Sequence, residues 1–210
     1  MAEKYQLLYF NKRGGGEIIR LVFVTAGVQY EDIRLDMAEW LKLKSDMPMR
    51  CLPCLKIIKG ERTFIHCQSG AIAKYLARKF GLYTDNEDDN LLIDEMYDSV
   101  GDVRNVFVQV QLCKDEATKK DLNEKLLTEM LPKFASFFKL RKNDFGGNGY
   151  IIGSKMTLAD LAVFNMVDSC IEMGLESLWK PYPLLLEHRQ NVIKDTNIAK
   201  WLQTRPRTEV

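Results

Sequence analysis

The sequence predicts an α/β N-terminal domain over residues 1–82 and an all-α C-terminal domain over residues 83–210. In the first part, short apolar segments that resemble strands alternate with amphipathic segments, and glycines separate them. The polar, acidic stretch 83–90 ends this pattern, and no strand-like segment follows it. Because a chain of 210 residues is long enough for two small domains, we place a domain boundary between residues 82 and 83.

The N-terminal elements are expected in the order β-α-β followed by β-β-α. The strands are predicted at 5–10, 30–35, 55–58 and 63–67, and the helices at 17–26 and from Ser69 onward. Gly27 is placed to end the first helix, the Lys59-Gly60 pair to turn a hairpin, and Ser69 to cap the second helix. A small mixed sheet with helices packed on it is the arrangement of the thioredoxin-like fold.

The C-terminal domain is predicted from apolar residues that recur every three or four positions. One long helix is indicated by Leu92, Met96, Val100, Val103, Phe107 and Val110, and another by Leu122, Leu126, Met130, Phe134 and Phe137. Pro132 could bend the second of these helices. Thr157 and Asp160 have the spacing of a capping box at the start of a further helix, and Pro183 suits the first turn of the next.

The charge balance and the cysteine content limit the possible partners and location. Thirty Lys and Arg residues stand against 29 Asp and Glu, and no long run of one sign occurs, so we expect no nucleic-acid partner. No apolar stretch approaches the ~18 residues that would span a bilayer. The first ten residues lack the pattern of a signal peptide, and five unevenly spaced cysteines suit free thiols. We therefore expect a cytoplasmic protein that does not bind membranes.

Tyr9 is the first candidate for chemistry. It ends the first predicted strand, immediately before the glycine-rich loop 11–16, so its side chain would lie beside a helix N-terminus. Unpaired N–H groups there favour an anion, and a phenol could donate a hydrogen bond to a thiolate. The alternative is an ordinary core or rim tyrosine. The loop is not a phosphate-binding Walker A motif, because Gly-Lys-Ser/Thr is absent, and it lacks the dinucleotide-binding spacing.

Two residue pairs could each hold a carboxylate. Gln68 and Ser69 lie where the hairpin meets the following helix, so the serine hydroxyl and nearby N–H groups could bind one. Trp40 and Lys44 are four residues apart, so an indole N–H and an ammonium would share one helical face. The alternatives are a plain N-cap serine and a packing tryptophan beside a solvated lysine.

Cys51-Leu52-Pro53-Cys54 has the CxxC spacing of redox and zinc sites. Zinc would need a second pair of ligands, and the other cysteines and histidines show no such spacing, so no metal is expected. A thioredoxin-type redox pair would follow the first strand, and this pair does not. We therefore expect one thiol to point into the core and the other toward a cleft.

The order of these features is more specific than any one of them. Tyr9 and Arg13 come first, then Trp40 and Lys44, then Leu52-Pro53, then Gln68-Ser69, and an all-helical half follows. In this order the sequence resembles the cytosolic glutathione transferases, most closely the sigma class, which includes hematopoietic prostaglandin D synthases and S-crystallins. The resemblance covers essentially the whole chain. It is strongest in YQLLYFNKRGGGEIIRLVF, VQYEDIRL, QSGAIAKYLARKFG, GSKMTLADLAVF and WLQTRPRT.

The resemblance implies the glutathione transferase fold and an enzyme that uses glutathione as a cosubstrate, with no metal. Tyr9 matches the family's catalytic tyrosine, which hydrogen-bonds the glutathione sulfur and favours the thiolate. The thiolate would then attack a small hydrophobic electrophile, and peroxidase or prostaglandin isomerase activity is a further option within the family. The substrate pocket would be formed by Phe10, Arg104, Phe107 and Gln109.

The resemblance also implies which residues bind glutathione. Gln68 and Ser69 would hold the γ-glutamyl carboxylate. The remaining implied contacts are Arg13, Trp40 with Lys44 at the glycyl carboxylate, the Leu52 backbone at the cysteinyl part, the cis-proline Pro53, and Asp102. Asp102 matches an acid that reaches the glutathione amine across a dimer interface, so a homodimer is implied.

Two positions depart from the sigma-class pattern. Gly15 stands where these enzymes commonly carry an arginine that supports the thiolate, and Cys51 stands where a Gln or Lys is usual. If one hydrogen bond to a charged group is lost, glutathione should bind weaker by roughly a factor of ten. Gln109 replaces a pocket tryptophan of the prostaglandin synthases and counts against that activity.

Two alternatives stay open from the sequence. The departures at Gly15 and Cys51 are compatible with a catalytically weakened, crystallin-like structural protein or ligand carrier. A thiol-disulfide enzyme that uses Cys51 is the other alternative, because this thiol would face the cleft beside Pro53.

Overall fold

A computed structural model describes residues 3–208 of the chain. It divides into two compact units, Met1–Leu82 together with Lys194–Val210, and Tyr83–Ile193. The break after Leu82 lies where the composition changes. The range 83–210 predicted for the helical domain differs from this division, because the last segment of the chain belongs with the first unit.

The first unit is built on one four-stranded mixed sheet. Its strands are β1 (Lys4–Phe10), β2 (Glu31–Leu35), β3 (Cys54–Lys59) and β4 (Arg62–Cys67), in the spatial order β2-β1-β3-β4. β1 runs parallel to β2 and antiparallel to β3, and β3 pairs antiparallel with β4. This sheet and the helices that follow confirm the predicted fold class, a thioredoxin-like domain and an all-helical part.

Nine α-helices occur within residues 3–208. They are α1 (Gly14–Thr25), α2 (Met37–Leu43), α3 (Ser69–Lys79), α4 (Glu87–Leu112), α5 (Glu116–Lys125), α6 (Leu131–Phe145), α7 (Leu158–Glu172), α8 (Pro183–Ile193) and α9 (Thr196–Thr204). Short 3₁₀ turns follow α2 at Lys44–Asp46 and α7 at Glu176–Trp179. In the part of the chain that is described, none of the helices combines the length and the apolar character needed to cross a bilayer.

The pleat of β1 sends its side chains to two faces. The ring of Tyr5 lies 5.4 Å from that of Phe23 in α1, so the odd-numbered residues of β1, including Tyr9, face α1. Leu8 faces the other side of the sheet. There it belongs to a buried cluster with Leu35, Trp40, Met47 and Cys54.

Three local predictions in the first unit need correction. α1 begins at Gly14 and not at residue 17, so the glycines form its first turn. The hairpin turns at Gly60-Glu61 and not at Lys59-Gly60, with Gly60 at φ +60° as a two-residue hairpin loop requires. Ser69 is the first residue of α3 and does not cap it, because the N-cap position is taken by Gln68, whose side chain makes no capping bond.

The helical unit follows the predicted periodicity with one interruption. α4 is a single helix, as predicted, whereas the next predicted helix is divided into α5 and α6 by the π-helical turn Leu126–Met130. Pro132 lies at the start of α6 and cannot donate a backbone hydrogen bond to the preceding turn. Thr157 and Asp160 form the predicted capping box of α7, and α8 begins at Pro183.

α9 explains why the end of the chain belongs with the first unit. The indole Nε1 of Trp201 donates to Glu17 Oε1 at 2.9 Å, and Arg205 Nη1 donates to the same oxygen at 3.2 Å. Glu17 lies in α1 and is only 1% exposed. Its other oxygen accepts from Arg20 Nη1 at 3.3 Å. The carboxylate is therefore shared between α1 and the C-terminal segment.

Candidate active site

The first feature of the site is a tyrosine held at the N-terminus of α1. Tyr9 is the penultimate residue of β1 and faces α1. The backbone N–H of Gly15 donates to Tyr9 Oη at 3.0 Å. Because this oxygen accepts the backbone bond, its own proton can be donated to another acceptor. Arg13 occupies the N-cap position, and its side chain makes no capping hydrogen bond. The Tyr9 phenol is therefore the side-chain group that accepts a backbone N–H in this first turn.

Glycines allow α1 to approach the tyrosine ring. A Cβ added at Gly14 would lie 2.5 Å from Tyr9 Oη, and one added at Gly16 would lie 2.7 Å from Tyr9 Cδ1. Both distances are too short for real side chains, so the backbone can reach this position only without a Cβ. Gly14 also has φ +39°, a conformation that favours glycine.

Gly15 lies where three segments of the chain meet. A Cβ at this position would be 3.6 Å from Pro53 Cδ and 3.7 Å from Ser69 Oγ, which are ordinary contacts. The same residue donates to Tyr9. The structure therefore brings together Tyr9, Pro53 and Ser69, which the sequence had suggested separately.

The segments before β3 and α3 carry the next predicted residues. The Leu52-Pro53 peptide bond is cis. Among the described residues, the backbone N–H of Leu52 has no hydrogen-bond partner, so it can bind a ligand. Gln68 has φ +75° and an exposed side chain, whose Nε2 donates to Met49 Sδ at 3.4 Å. A peptide ligand with a carboxylate would find donors at both segments.

Trp40, Lys44 and Arg13 differ in exposure. Trp40 is 6% exposed and meets Phe10 edge to face at 6.3 Å, so packing fixes its ring. Lys44 is exposed at the C-terminal end of α2, one turn beyond Trp40. Arg13 is 5% exposed at the start of α1. Packing thus fixes the Trp40 ring, and the exposed Lys44 ammonium lies one helical turn beyond it.

Arg20 is a residue near the site that the sequence analysis missed. It is fully buried, and its guanidinium carbon lies 5.8 Å from the centroid of the Tyr9 ring. Its Nε donates to Asp32 at 3.1 Å, and its Nη1 donates to the carbonyl of Lys12 at 2.8 Å. The signal that could have found it is a charged residue three positions after Glu17 in an otherwise apolar helix.

The predicted substrate residues of the helical unit all lie on α4. Arg104 and Phe107 are three residues apart and share one side of the helix, whereas Gln109, two residues beyond Phe107, points elsewhere. Asp102 is exposed. Burial raises the pKa of Tyr97 to about 12, and Arg104, two turns along the same side, acts in the opposite direction.

The CxxC motif is joined by a third cysteine. Cys54 is fully buried, and its Sγ donates to the Cys51 carbonyl at 3.1 Å. The Cys54 and Cys67 sulfurs are 3.3 Å apart. Burial, followed by the neighbouring Cys67 thiol, raises the pKa of both Cys51 and Cys54. Among the described residues, no group of three or more His, Cys, Asp or Glu side chains is arranged to hold a metal ion.

The fold and the site define a class of protein. A thioredoxin-like domain with a tyrosine at the first helix, a cis-proline and a Gln-Ser pair, followed by a helical domain, is the arrangement of glutathione-dependent transferases. Residues 5–78 match the family model for the glutathione S-transferase N-terminal domain, and residues 101–205 match that for the C-terminal domain. The chain belongs to the glutathione S-transferase family.

Individual relatives extend this similarity over the full length. The chain is 35% identical to S-crystallin SL11 of Nototodarus sloanii, over 97% of this chain and 98% of the relative. It is 33% identical to hematopoietic prostaglandin D synthase of Gallus gallus, over 98% of each. Monomeric Na-GST-3, a glutathione S-transferase of Necator americanus, superposes with a TM-score of 0.86 at 32% identity, over 99% of this chain and 100% of that structure.

Proposed function

We propose that the protein is a glutathione transferase that holds the glutathione thiol as a thiolate and transfers it to small hydrophobic electrophiles. The observation that carries this proposal is the hydrogen bond from Gly15 N–H to Tyr9 Oη at the start of α1. It fixes the phenol and leaves its proton free for the glutathione sulfur. Family membership supports glutathione as the cosubstrate.

The chemical contribution of the chain is stabilisation of an anion. A free thiol has a pKa of about 8.5, and each unit by which binding lowers it corresponds to about 1.4 kcal/mol. A phenol donor and the N-terminal dipole of α1 both favour the thiolate over the thiol. The thiolate attacks the electrophilic atom, the new bond to sulfur forms, and the leaving group departs with its electron pair. Tyr9 remains unchanged.

The remaining residues serve binding in this proposal. Gln68 and Ser69 hold the γ-glutamyl carboxylate, and Ser69 is supported by its position beside Gly15. The unpaired Leu52 N–H, held by the cis-proline Pro53, binds the cysteinyl part. Trp40 with Lys44 serves the glycyl carboxylate, and Arg13 completes the glutathione contacts.

The electrophile is proposed to contact Arg104 and Phe107 of the helical unit, whereas Gln109 lies on another side of α4. On α4, Arg104 and Phe107 share a side, which supports one polar and one apolar contact to the same substrate. A small aryl halide would suit this pair. Organic hydroperoxides and a prostaglandin endoperoxide are further substrates to assay, because one relative is named a prostaglandin D synthase.

We also propose a cytoplasmic homodimer in which Asp102 reaches the partner's glutathione. Asp102 is exposed, as such a residue must be. The first unit carries a cavity of about 460 Å³ rimmed by the exposed apolar side chains of Met49, Phe64 and Tyr75, which a second copy would cover. One relative, Na-GST-3, is described as monomeric. Light scattering of the protein and of Phe64→Asp tests this: a dimer that the substitution dissociates is expected, and a monomeric wild type would contradict it.

The pH dependence of conjugation tests the transferase proposal. The rate with a generic aryl halide is measured across neutral pH, together with binding to immobilised glutathione. An apparent pKa well below the ~8.5 of a free thiol is the expected result. Binding without turnover would instead favour the crystallin-like carrier, for which Gly15 and Cys51 are the relevant departures.

A further inference from the structure

Three thiols lie together at the end of the β3–β4 hairpin, and the proposed transferase mechanism uses none of them. Cys54 and Cys67 are direct partners in the antiparallel register. Their sulfurs are 3.3 Å apart. Cys51 lies next to them, and its carbonyl accepts the Cys54 S–H. Two facing thiols at this separation are candidates for covalent linkage.

The position of the pair in the hairpin suits a disulfide. The register runs without a bulge from Lys59↔Arg62, beside the two-residue turn, to Cys54↔Cys67. Hydrogen-bonded and non-hydrogen-bonded pairs alternate along such a ladder, so counting from the turn makes Cys54↔Cys67 a non-hydrogen-bonded pair with Cα atoms about 4.5 Å apart. Disulfides span Cα separations of about 4.4–6.8 Å.

The pair also adjoins three of the proposed glutathione contacts. Cys54 follows Pro53, and Cys67 precedes Gln68. Cys54 is packed in the same buried cluster as Trp40. A bond between the two sulfurs would draw them from 3.3 Å to about 2.05 Å. The segments that carry Pro53, Gln68 and Trp40 would shift with them.

We propose that Cys54 and Cys67 form an oxidation site, at which glutathione disulfide converts the two thiols into an intrachain disulfide and weakens glutathione binding. Glutathione disulfide is the reagent of choice because it carries the same carboxylates as glutathione, so this part rests on the proposed function. The thiol pair itself rests only on the geometry of the hairpin.

The chemistry proceeds in two exchanges. Cys67 is only partly buried, so its thiolate attacks one sulfur of glutathione disulfide first; the S–S bond breaks and one glutathione leaves as a thiolate. Cys54 then loses its proton and attacks Cys67 Sγ, and the second glutathione leaves. The two cysteines are oxidised, glutathione disulfide is reduced to two glutathione molecules, and the two protons pass to the departing thiolates.

Access to the buried Cys54 depends on the segment Met37–Met47, whose two buried residues pack in the same cluster. Within Met37–Met47, Trp40 and Met47 are the two buried residues, and nearly all the others are exposed. A segment with so few buried contacts opens more easily than the core of a domain. The raised pKa of Cys54 slows the second exchange, so the mixed disulfide at Cys67 should accumulate before it resolves.

The test uses the full-length protein incubated with glutathione disulfide, followed by peptide mapping without reduction. A Cys54–Cys67 link is expected. The affinity for S-hexylglutathione, measured by calorimetry, is expected to fall about tenfold and to recover after reduction with dithiothreitol, because a shift of about 1 Å is costly at an oriented site. No link, or a link from Cys51 to either neighbour, would overturn the proposal.

Three substitutions assign the roles. Cys54→Ser should stop the reaction at a glutathionylated Cys67, and Cys67→Ser should abolish both products. Cys51→Ser is the matched control and should still form the link; its failure to do so would overturn the assignment. Because Cys54 is fully buried, Cys54→Ala serves as a second variant if the serine prevents folding.

A second reagent separates this proposal from the transferase proposal. Hydroxyethyl disulfide lacks the γ-glutamyl and glycyl groups, so it should form the same link about tenfold more slowly at equal concentration. Equal rates would overturn glutathione disulfide as the preferred reagent. Conjugation measured in dithiothreitol depends only on the proposed function, so its absence together with a formed link would identify the transferase proposal as the one that failed.

Discussion

The N-termini of α1 and α7 solve the same problem of unpaired backbone donors in opposite ways. At α7, the fully buried Asp160 carboxylate accepts from Thr157 N at 2.8 Å, Thr157 Oγ at 2.8 Å and Ile151 N at 2.9 Å. At α1 no side chain caps the helix, and a phenol accepts the N–H of Gly15. The α7 terminus is capped by a carboxylate of its own helix and so stabilises the fold. The α1 terminus lies beside a proton donor and so can bind an anion.

The sharpest test of the α7 half of this comparison is Asp160→Asn. An amide cannot accept from all three donors and leaves at least one of them buried and unsatisfied, so the free energy of unfolding should fall by about 3 kcal/mol. Urea unfolding measures this. Asp195→Asn at the half-buried N-cap of α9 is the control and should cost less than about 0.5 kcal/mol, because Asn caps nearly as well as Asp. Equal losses at both sites would refute the contrast.

Tyr9→Phe tests the α1 half, with an effect on activity and not on stability. The substitution removes the hydroxyl that donates to the glutathione thiolate, so kcat/KM should fall about 100-fold, which corresponds to about 2.7 kcal/mol. Steady-state conjugation kinetics and thermal unfolding are measured together. Tyr182→Phe, in the turn before α8, is the control and should change neither quantity. Conjugation that survives in Tyr9→Phe would remove the tyrosine from the mechanism.

Neighbouring glycines provide a finer test of the α1 site. A methyl group at Gly16 collides with the Tyr9 ring, so Gly16→Ala should lower kcat/KM about tenfold, or about 1.4 kcal/mol. Gly15→Ala meets only ordinary contacts and should stay within about twofold, with a small gain in helix stability. The same kinetic assay serves for both. Equal losses would mean that helix geometry, and not the tyrosine contact, sets the effect.

The smallest expected effect is a pH dependence at the capped N-terminus of α7. His188 is 1% exposed, and burial lowers its pKa below the ordinary value, although Asp160 at 3.7 Å acts in the opposite direction. The unfolded chain binds a proton near pH 6.5 that the folded chain does not bind, so the free energy of unfolding falls below that pH by at most about 1.4 kcal/mol per pH unit. Urea midpoints should show this slope in the wild type.

Substitution of His188 tests whether this residue causes the dependence of stability on pH. His188→Gln should flatten the loss of stability below about pH 6.5, whereas His66→Gln, at an exposed position of β4, should leave it unchanged. If both variants kept the slope of the wild type, the titrating group would lie elsewhere.

Local signals in the sequence were sufficient for most of the elements. The periodicity from Leu92 to Val110 predicted α4, and the Thr157–Asp160 spacing predicted the buried capping box, because both are set by neighbours on one helix. The position of Tyr9 beside a helix N-terminus followed from the strand-loop-helix order. Such features need no knowledge of distant residues.

Features that depend on distant pairing were missed. The Cys54–Cys67 contact requires the register of β3 and β4, and a shift of one residue would separate the thiols. The approach of Arg20 to Tyr9 and the return of α9 to α1 join residues far apart along the chain. The stronger capping preference of serine favours Ser69 as the N-cap of α3, whereas Gln68 occupies that position.

The shared Glu17 carboxylate has a consequence for the order in which the chain is synthesised. Residues 1–82 leave the ribosome early, but Trp201 and Arg205 emerge more than a hundred residues later. At translation rates of about 5–20 residues per second, the nascent N-terminal unit waits on the order of ten seconds for these partners. The thioredoxin-like unit therefore completes its folding only after the whole helical unit has been made, and chains that end before α9 leave it incomplete.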